Sequence, residues 1–182
     1  MDAQASRPEL ILKMKLYMLR HGDAVEAGET KVKDAERPLT PKGIQRTKQL
    51  AEALAQMEVS FDALLSSPLV RARETAEVIA RELKFGGKLE LTEALAPFGS
   101  MENLVRQLTM LRPVPKSILL VGHEPYLSGF IAMLCTGGPG LGLEMKKGAL
   151  CRLEVTTPVC GKCATLEWLL PPRVVGLKPD KN

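Results

Sequence analysis

Short apolar runs alternate along this chain with longer segments whose apolar residues recur at helical spacing. Met14 to Leu19 is apolar apart from Lys15, short enough for a strand and dense enough to be buried on both faces of a parallel sheet. Thr40-Pro41 then supplies an N-cap and a first-turn proline before Ile44, Thr47, Ala51 and Leu54, which predicts a helix over 41–57. Phe61 to Leu65 is a second short run. Ser67-Pro68 repeats the cap-and-proline start, with Leu69, Ala72, Ala76, Ile79 and Leu83 tracing one helical face. Lys88 to Thr92 is a weaker strand, and Leu104, Val105, Leu108 and Leu111 mark a helix that opens near Ser100 and ends before Pro113 and Pro115.

Ser117 to Val121 is the clearest strand. The helix after it carries Leu127, Phe130, Ile131 and Leu134 and stops at Gly137-Gly138. Leu150 to Val155 and Thr165 to Leu169 alternate as two late strands, which suits an antiparallel edge on a parallel sheet. Strands alternating with helices at these lengths predict one α/β domain over 14–170, a three-layer α/β/α sandwich, with 1–13 and 171–182 as tails.

In such sheets ligands bind beyond the carboxyl ends of the strands. Both histidines of the chain fall there: His21 in Leu19-Arg20-His21-Gly22 and His123 in Val121-Gly122-His123-Glu124. Arg20 shares the first position. Arg71, in the first turn after Pro68, leans back toward the same crevice because helical side chains tilt toward the amino terminus. Arg73 points elsewhere and is placed to pair with Glu77 at i+4. Two guanidinium forks, two imidazoles and the amino end of the helix after His123 make a pocket for a doubly charged oxyanion, with phosphate the natural ligand.

These residues resemble the signature segments of the histidine phosphatase superfamily, also called phosphoglycerate-mutase-like. The segments are Arg20-His21-Gly22, then Ser67-Pro68-Leu69-Val70-Arg71-Ala72 with Thr75-Ala76, then Val121-Gly122-His123. Asp23-Ala24 after the first of them, Arg37-Pro38-Leu39-Thr40 and Gly43 are similar to the small SixA-type phosphohistidine phosphatases. The resemblance covers roughly 14–170 and implies a cofactor-independent, metal-independent enzyme. By it His21 is the nucleophile, forming a phosphohistidine intermediate, and Arg20, Arg71 and His123 hold the phosphoryl oxygens. It also implies Glu93 as proton donor to the leaving group, with Asp23, two residues from the nucleophile, as the competing candidate.

Only 30 positions separate Glu93 from His123, too few for the large helical cap of mutases and broad acid phosphatases. A shallow site follows, suited to a phosphorylated side chain on a protein, such as a histidine phosphotransfer domain, and also open to a small phosphorylated molecule. A general phosphomonoesterase, a mutase and a non-catalytic phospho-binding module are the alternatives.

Composition narrows the partners. Lys+Arg of 25 against Asp+Glu of 21 gives +4, without the clustering of a nucleic-acid binder. The polar start and the absence of about 20 consecutive apolar residues argue against a signal peptide or a membrane span, so a cytoplasmic location is expected. Cys160-Gly161-Lys162-Cys163 lacks the second pair or the histidines of a zinc site and reads as a hairpin tip. Gly137-Gly138-Pro139-Gly140-Leu141-Gly142 follows a helix rather than a strand, so it is no dinucleotide loop. It reads as a loop bordering the site, with Lys146 and Lys147 as contacts for an acidic partner.

Overall fold

A computed structural model describes residues 13–28 and 32–175. Its six strands are β1 (Met14–Arg20), β2 (Ala63–Ser66), β3 (Leu89–Leu91), β4 (Ser117–Gly122), β5 (Leu150–Val155) and β6 (Ala164–Leu170). They form one sheet in the order β3-β2-β4-β1-β5-β6. The first four positions are parallel, and β5 and β6 add the expected antiparallel edge.

The helices are α1 (Pro41–Gln56), α2 (Val70–Glu82), α3 (Met101–Met110) and α4 (Tyr126–Thr136). Alternation along the central strands sorts them into two layers. Leu16 and Met18 of β1, with Ile118 and Leu120 of β4, pack with Leu104 and Leu108 of α3 and Phe130 and Ile131 of α4. Tyr17, Leu19, Leu119 and Val121 face the other way, onto Leu50 and Leu54 of α1 and Ala72, Ala76 and Ile79 of α2. Both faces of β1 and β4 are thus covered, which is why their sequences read as unbroken apolar runs. The result is the three-layer α/β/α sandwich, and α3 is the one α-helix between Glu93 and β4, so no large helical cap covers the site among the described residues.

Helix starts show where local chemistry decided the outcome. Thr40 caps α1, its Oγ1 accepting from Gly43 N at 3.0 Å, and Ser100 caps α3, accepting from Asn103 N at 3.1 Å. Ser67-Pro68 does not cap α2. That helix begins two residues later, with Leu69 at the N-cap in extended geometry and no side-chain cap. The Ser67 hydroxyl accepts from Leu69 N at 3.3 Å and bonds a histidine of the site instead.

Most of the sequence expected as tails, 1–13 and 171–182, lies outside the described residues. Of the remainder, Lys13 pairs with Glu154 at 2.8 Å, Pro172–Val174 forms a 3₁₀ turn, and Val175 packs on the α1/α2 layer. The link between β5 and β6 runs over 156–163, longer than the cysteine tip alone, and all four cysteines are free thiols.

Candidate active site

Parallel pairing aligns Arg20 with Gly122 and Ser66 with Val121, so the ends of β1, β2 and β4 release their chains side by side. His21 N–H continues the β1/β4 ladder to Gly122 O at 3.0 Å, and Ser67 N–H donates to Val121 O at 3.0 Å. The two histidine rings meet there with centroids 5.1 Å apart. His21, His123 and Arg71 are 6%, 2% and 5% exposed, so all three are buried although they lie at the carboxyl edge of the sheet.

His21 has one tautomer that fits its surroundings. Its Nδ1 lies 2.8 Å from Gly22 O, a carbonyl that only accepts, so Nδ1 carries the proton and donates. Nε2 is left with a lone pair, which accepts from Arg71 Nε–H at 3.3 Å. Burial pulls the His21 pKa down to about 4, with the Arg71, Arg20 and Lys147 charges adding to it against the Gly22 bond. His123 falls to about 3, again from burial first and then from His21 and Arg71. Both rings are neutral near pH 7.

Each partner is positioned by a separate element. Arg71, near the start of α2, donates from Nη1 to Asp34 O at 2.8 Å and from Nη2 to Asp34 Oδ2 at 3.3 Å. Arg37 grips the other carboxylate oxygen of Asp34 through Nε and Nη2, at 2.8 and 2.6 Å, and donates from Nη1 to Val25 O. The hydrogen bond from Arg37 holds the Asp34 carboxyl below its ordinary range, so it stays ionised. Arg20 donates from Nη1 to Met145 O at 2.7 Å, and its Nε is buried without a hydrogen-bond partner among the described residues. His123 bonds Ser67 Oγ through Nε2 at 2.9 Å, while its buried Nδ1 is likewise unpartnered among them.

The loop after His21 is built around close backbone approaches. Gly22 N–H donates to Thr75 Oγ1 at 3.0 Å, and that hydroxyl donates to Arg71 O at 2.6 Å, tying this loop to α2. A Cβ on Gly43 would stand 2.1 Å from Asp23 O, so only glycine lets α1 begin against this loop. Leu39 N–H is held by Glu74 Oε2 at 2.7 Å.

Of the five residues expected at the site, Arg20, His21, Arg71 and His123 lie together and Glu93 stands apart. Glu93 lies past the carboxyl end of β3, exposed, at the start of the 3₁₀ turn Glu93–Leu95. It is on the same edge of the sheet but makes no hydrogen bond to the four among the described residues. The Asp23 carboxylate is paired with Arg46 at 2.9 Å. Sequence reasoning missed Asp34, and it placed Ser67 and Thr75 within the signature segments without giving either a role at the site. Thr75 carried a usable signal, since i+4 from Arg71 puts both on one helical face.

A neutral, buried histidine whose Nε2 lone pair accepts from a guanidinium, at the carboxyl edge of an α/β/α sheet, is an arrangement suited to phosphoryl transfer. The family model of the histidine phosphatase superfamily (branch 1) matches residues 16–115, and the chain belongs to that superfamily. It is a phosphatase by its relatives. It is 30% identical over 125 residues to the phosphohistidine phosphatase SixA of Escherichia coli, covering 68% of this chain and 76% of that one. An uncharacterized protein of Picosynechococcus is 37% identical over 142 residues, 78% of this chain and 85% of that one. The structure of the protein histidine phosphatase SixA complexed with tungstate superimposes with a TM-score of 0.76 at 26% identity, covering 88% of this chain and 98% of that one.

Proposed function

We propose that this chain hydrolyses phosphohistidine on proteins, without a metal, through a covalent phosphohistidine on His21. The observation that carries the reading is the His21 tautomer: Nδ1–H is spent on Gly22 O, and Nε2 keeps its lone pair in a pocket of cations. Arg71 Nε–H donates to that lone pair and must transfer to a phosphoryl oxygen as substrate enters. The same movement frees the nucleophile and clamps the electrophile. Guanidinium groups supply the positive charge that phosphoryl transfer requires.

In the first step His21 Nε2 attacks phosphorus in line, a new P–N bond forms, and the P–N bond to the substrate histidine breaks. The departing imidazole takes a proton, for which Glu93, on the rim of this edge, is the donor we assign, since the Asp23 carboxylate is held by Arg46. Water then attacks the phosphohistidine, giving a proton back to the Glu93 carboxylate, releasing inorganic phosphate and restoring neutral His21. Arg20, Arg71 and His123 hold the equatorial oxygens. The neutral His123 donates one hydrogen bond from Nδ1 when Nε2 accepts from the Ser67 hydroxyl.

The substrate class rests on the lack of a large helical cap between Glu93 and β4 and on the SixA relatives. With α3 alone in the interval where a cap would be inserted, a phosphorylated side chain on a folded domain, such as a histidine phosphotransfer domain, can reach His21. No helix among the described residues is long and apolar enough to cross a membrane. Four free thiols accord with a cytoplasmic location. The test is rapid quench with a radiolabelled phosphohistidine domain, which should trap label on His21 and lose it in His21→Ala. Turnover in His21→Ala, or rates for aryl and alkyl phosphates far above those for the phosphohistidine domain, would overturn the assignment.

A further inference from the structure

Lys147 is a cation at this edge to which the reaction above gives no task. It lies in the segment between α4 and β5, which is fastened directly to the nucleophile's backbone. Gly148 N–H donates to both Arg20 O and His21 O, at 3.1 and 3.0 Å, Arg20 N–H donates to Ala149 O at 3.1 Å, and Arg20 Nη1 reaches Met145 O at 2.7 Å. Gly148 has φ +76°, so the chain turns sharply just past Lys147 in a conformation that favours glycine. These bonds fix the base of the Lys147 side chain against His21 while leaving its ammonium free to swing.

That ammonium rests on Glu26 Oε1, 2.8 Å away, on the loop that follows the nucleophile. The two ends of the pair differ. Lys147's side chain is 34% exposed and Glu26's is 63% exposed, so the lysine belongs to the site and the glutamate to its rim. Lys146, one residue back, pairs at the surface with Glu144 and plays no part here. An exposed ion pair contributes little, so exchanging Glu26 for another anion costs little. Lys147's charge already acts on His21 from where it stands.

We infer that Lys147 is a specificity-determining residue whose ammonium leaves Glu26 to pair with an anionic oxygen of the bound substrate, Glu26 setting how readily it does so. The inference rests on the reading that a phosphorylated substrate binds over His21. The oxygen belongs either to the phosphoryl group itself or to an acidic side chain flanking the phosphohistidine. A doubly charged phosphoryl group competes well against a single carboxylate, and the three ammonium donors let it bond without a fixed fork geometry.

The experiment uses Lys147→Met, Glu26→Gln and the double variant of the full chain, with a phosphohistidine-bearing phosphotransfer domain, para-nitrophenyl phosphate, and inorganic phosphate as competitive inhibitor. Lys147→Met should raise KM by about tenfold, the low end for a hydrogen bond to a charged group, with kcat within about twofold. Glu26→Gln should lower KM by about threefold, as for an exposed ion pair, and have no effect once Lys147 is gone. If the KM for para-nitrophenyl phosphate and the phosphate inhibition constant move with that for the protein, the oxygen is the phosphoryl group's. If the protein's KM alone moves, it is a flanking acidic side chain's. Unchanged KM for every probe, a loss confined to kcat, or a Glu26→Gln effect that persists without Lys147 would overturn the inference. Should wild type turn over only the aryl phosphate, the phosphohistidine reading falls while the aryl phosphate measurements still decide the role of Lys147.

Discussion

Acid should unfold this protein through its active site. An unfolded histidine titrates at 6.5, whereas folded His21 and His123 titrate at about 4 and about 3. The unfolded chain therefore takes up protons that the folded chain refuses. Stability falls as pH drops below 6.5, and the loss saturates once pH passes the folded values. Between about pH 7.5 and about pH 4.5, each histidine costs about 2 to 3 kcal/mol, and the pair roughly 5 kcal/mol. In the steepest part of the window the slope approaches about 3 kcal/mol per pH unit, the value for two protons. Against a total stability on the order of 5–15 kcal/mol, that is enough to unfold an ordinary domain of this size.

Urea denaturation of wild type and of a His21→Asn/His123→Asn variant at both pH values isolates the two rings from carboxylates that titrate in the same window. Wild type should lose about 5 kcal/mol more than the variant. Titration of the two imidazole resonances by NMR gives the same quantity without unfolding, with midpoints far below 6.5 for both. Equal acid sensitivity in the two proteins, or ring midpoints near 6.5, would refute the argument, because burial among cations is its whole basis.

Other consequences are narrower. Thr75→Val strips Gly22 N–H of its buried acceptor and should cost about 1–3 kcal/mol, read as a shift in the urea midpoint, with an unshifted midpoint counting against the tie. Arg71→Lys keeps a charge but loses the fork that spans His21 and Asp34, and kcat/KM should fall by about 10²-fold in steady-state assays. A change below about threefold would show that a point charge suffices. Glu93→Gln should slow turnover of phosphohistidine and alkyl phosphates by about 10²-fold and leave activated aryl phosphates nearly unaffected, since a good leaving group needs no proton. Full activity on alkyl phosphates would remove Glu93 from the reaction.

Much of the frame was legible because burial on both faces leaves a plain signature. β1 and β4 read as strands from their apolar runs, and once those strands are neighbours, His21 and His123 must meet at their ends. Asp34 was illegible for the opposite reason. It sits in a polar loop without periodicity, and its role depends on Arg71 approaching from another element, 37 residues along the chain. Ser67 was misread as a helix cap because Ser-Pro usually signals one. Here His123 competes for the hydroxyl, an interaction across 56 residues that no local pattern encodes.

The charge arrangement at this edge is costly as it stands, and the cost has a direction. Burial pushes down the pKa of Arg71 and of both histidines, so these three groups are held against their own preference for water. Asp34 offsets part of this by accepting from Arg71, but Arg37 grips the same carboxylate, so Arg71 shares its counter-ion rather than owning it. An arginine with a partly neutralised partner still attracts an incoming anion, which a fully paired one would not. A phosphoryl dianion would relieve the repulsion between Arg20 and Arg71, and would give the unpartnered Arg20 Nε and His123 Nδ1 an acceptor. Binding energy is thus stored in the free protein as incomplete pairing, and it is released where negative charge gathers around phosphorus.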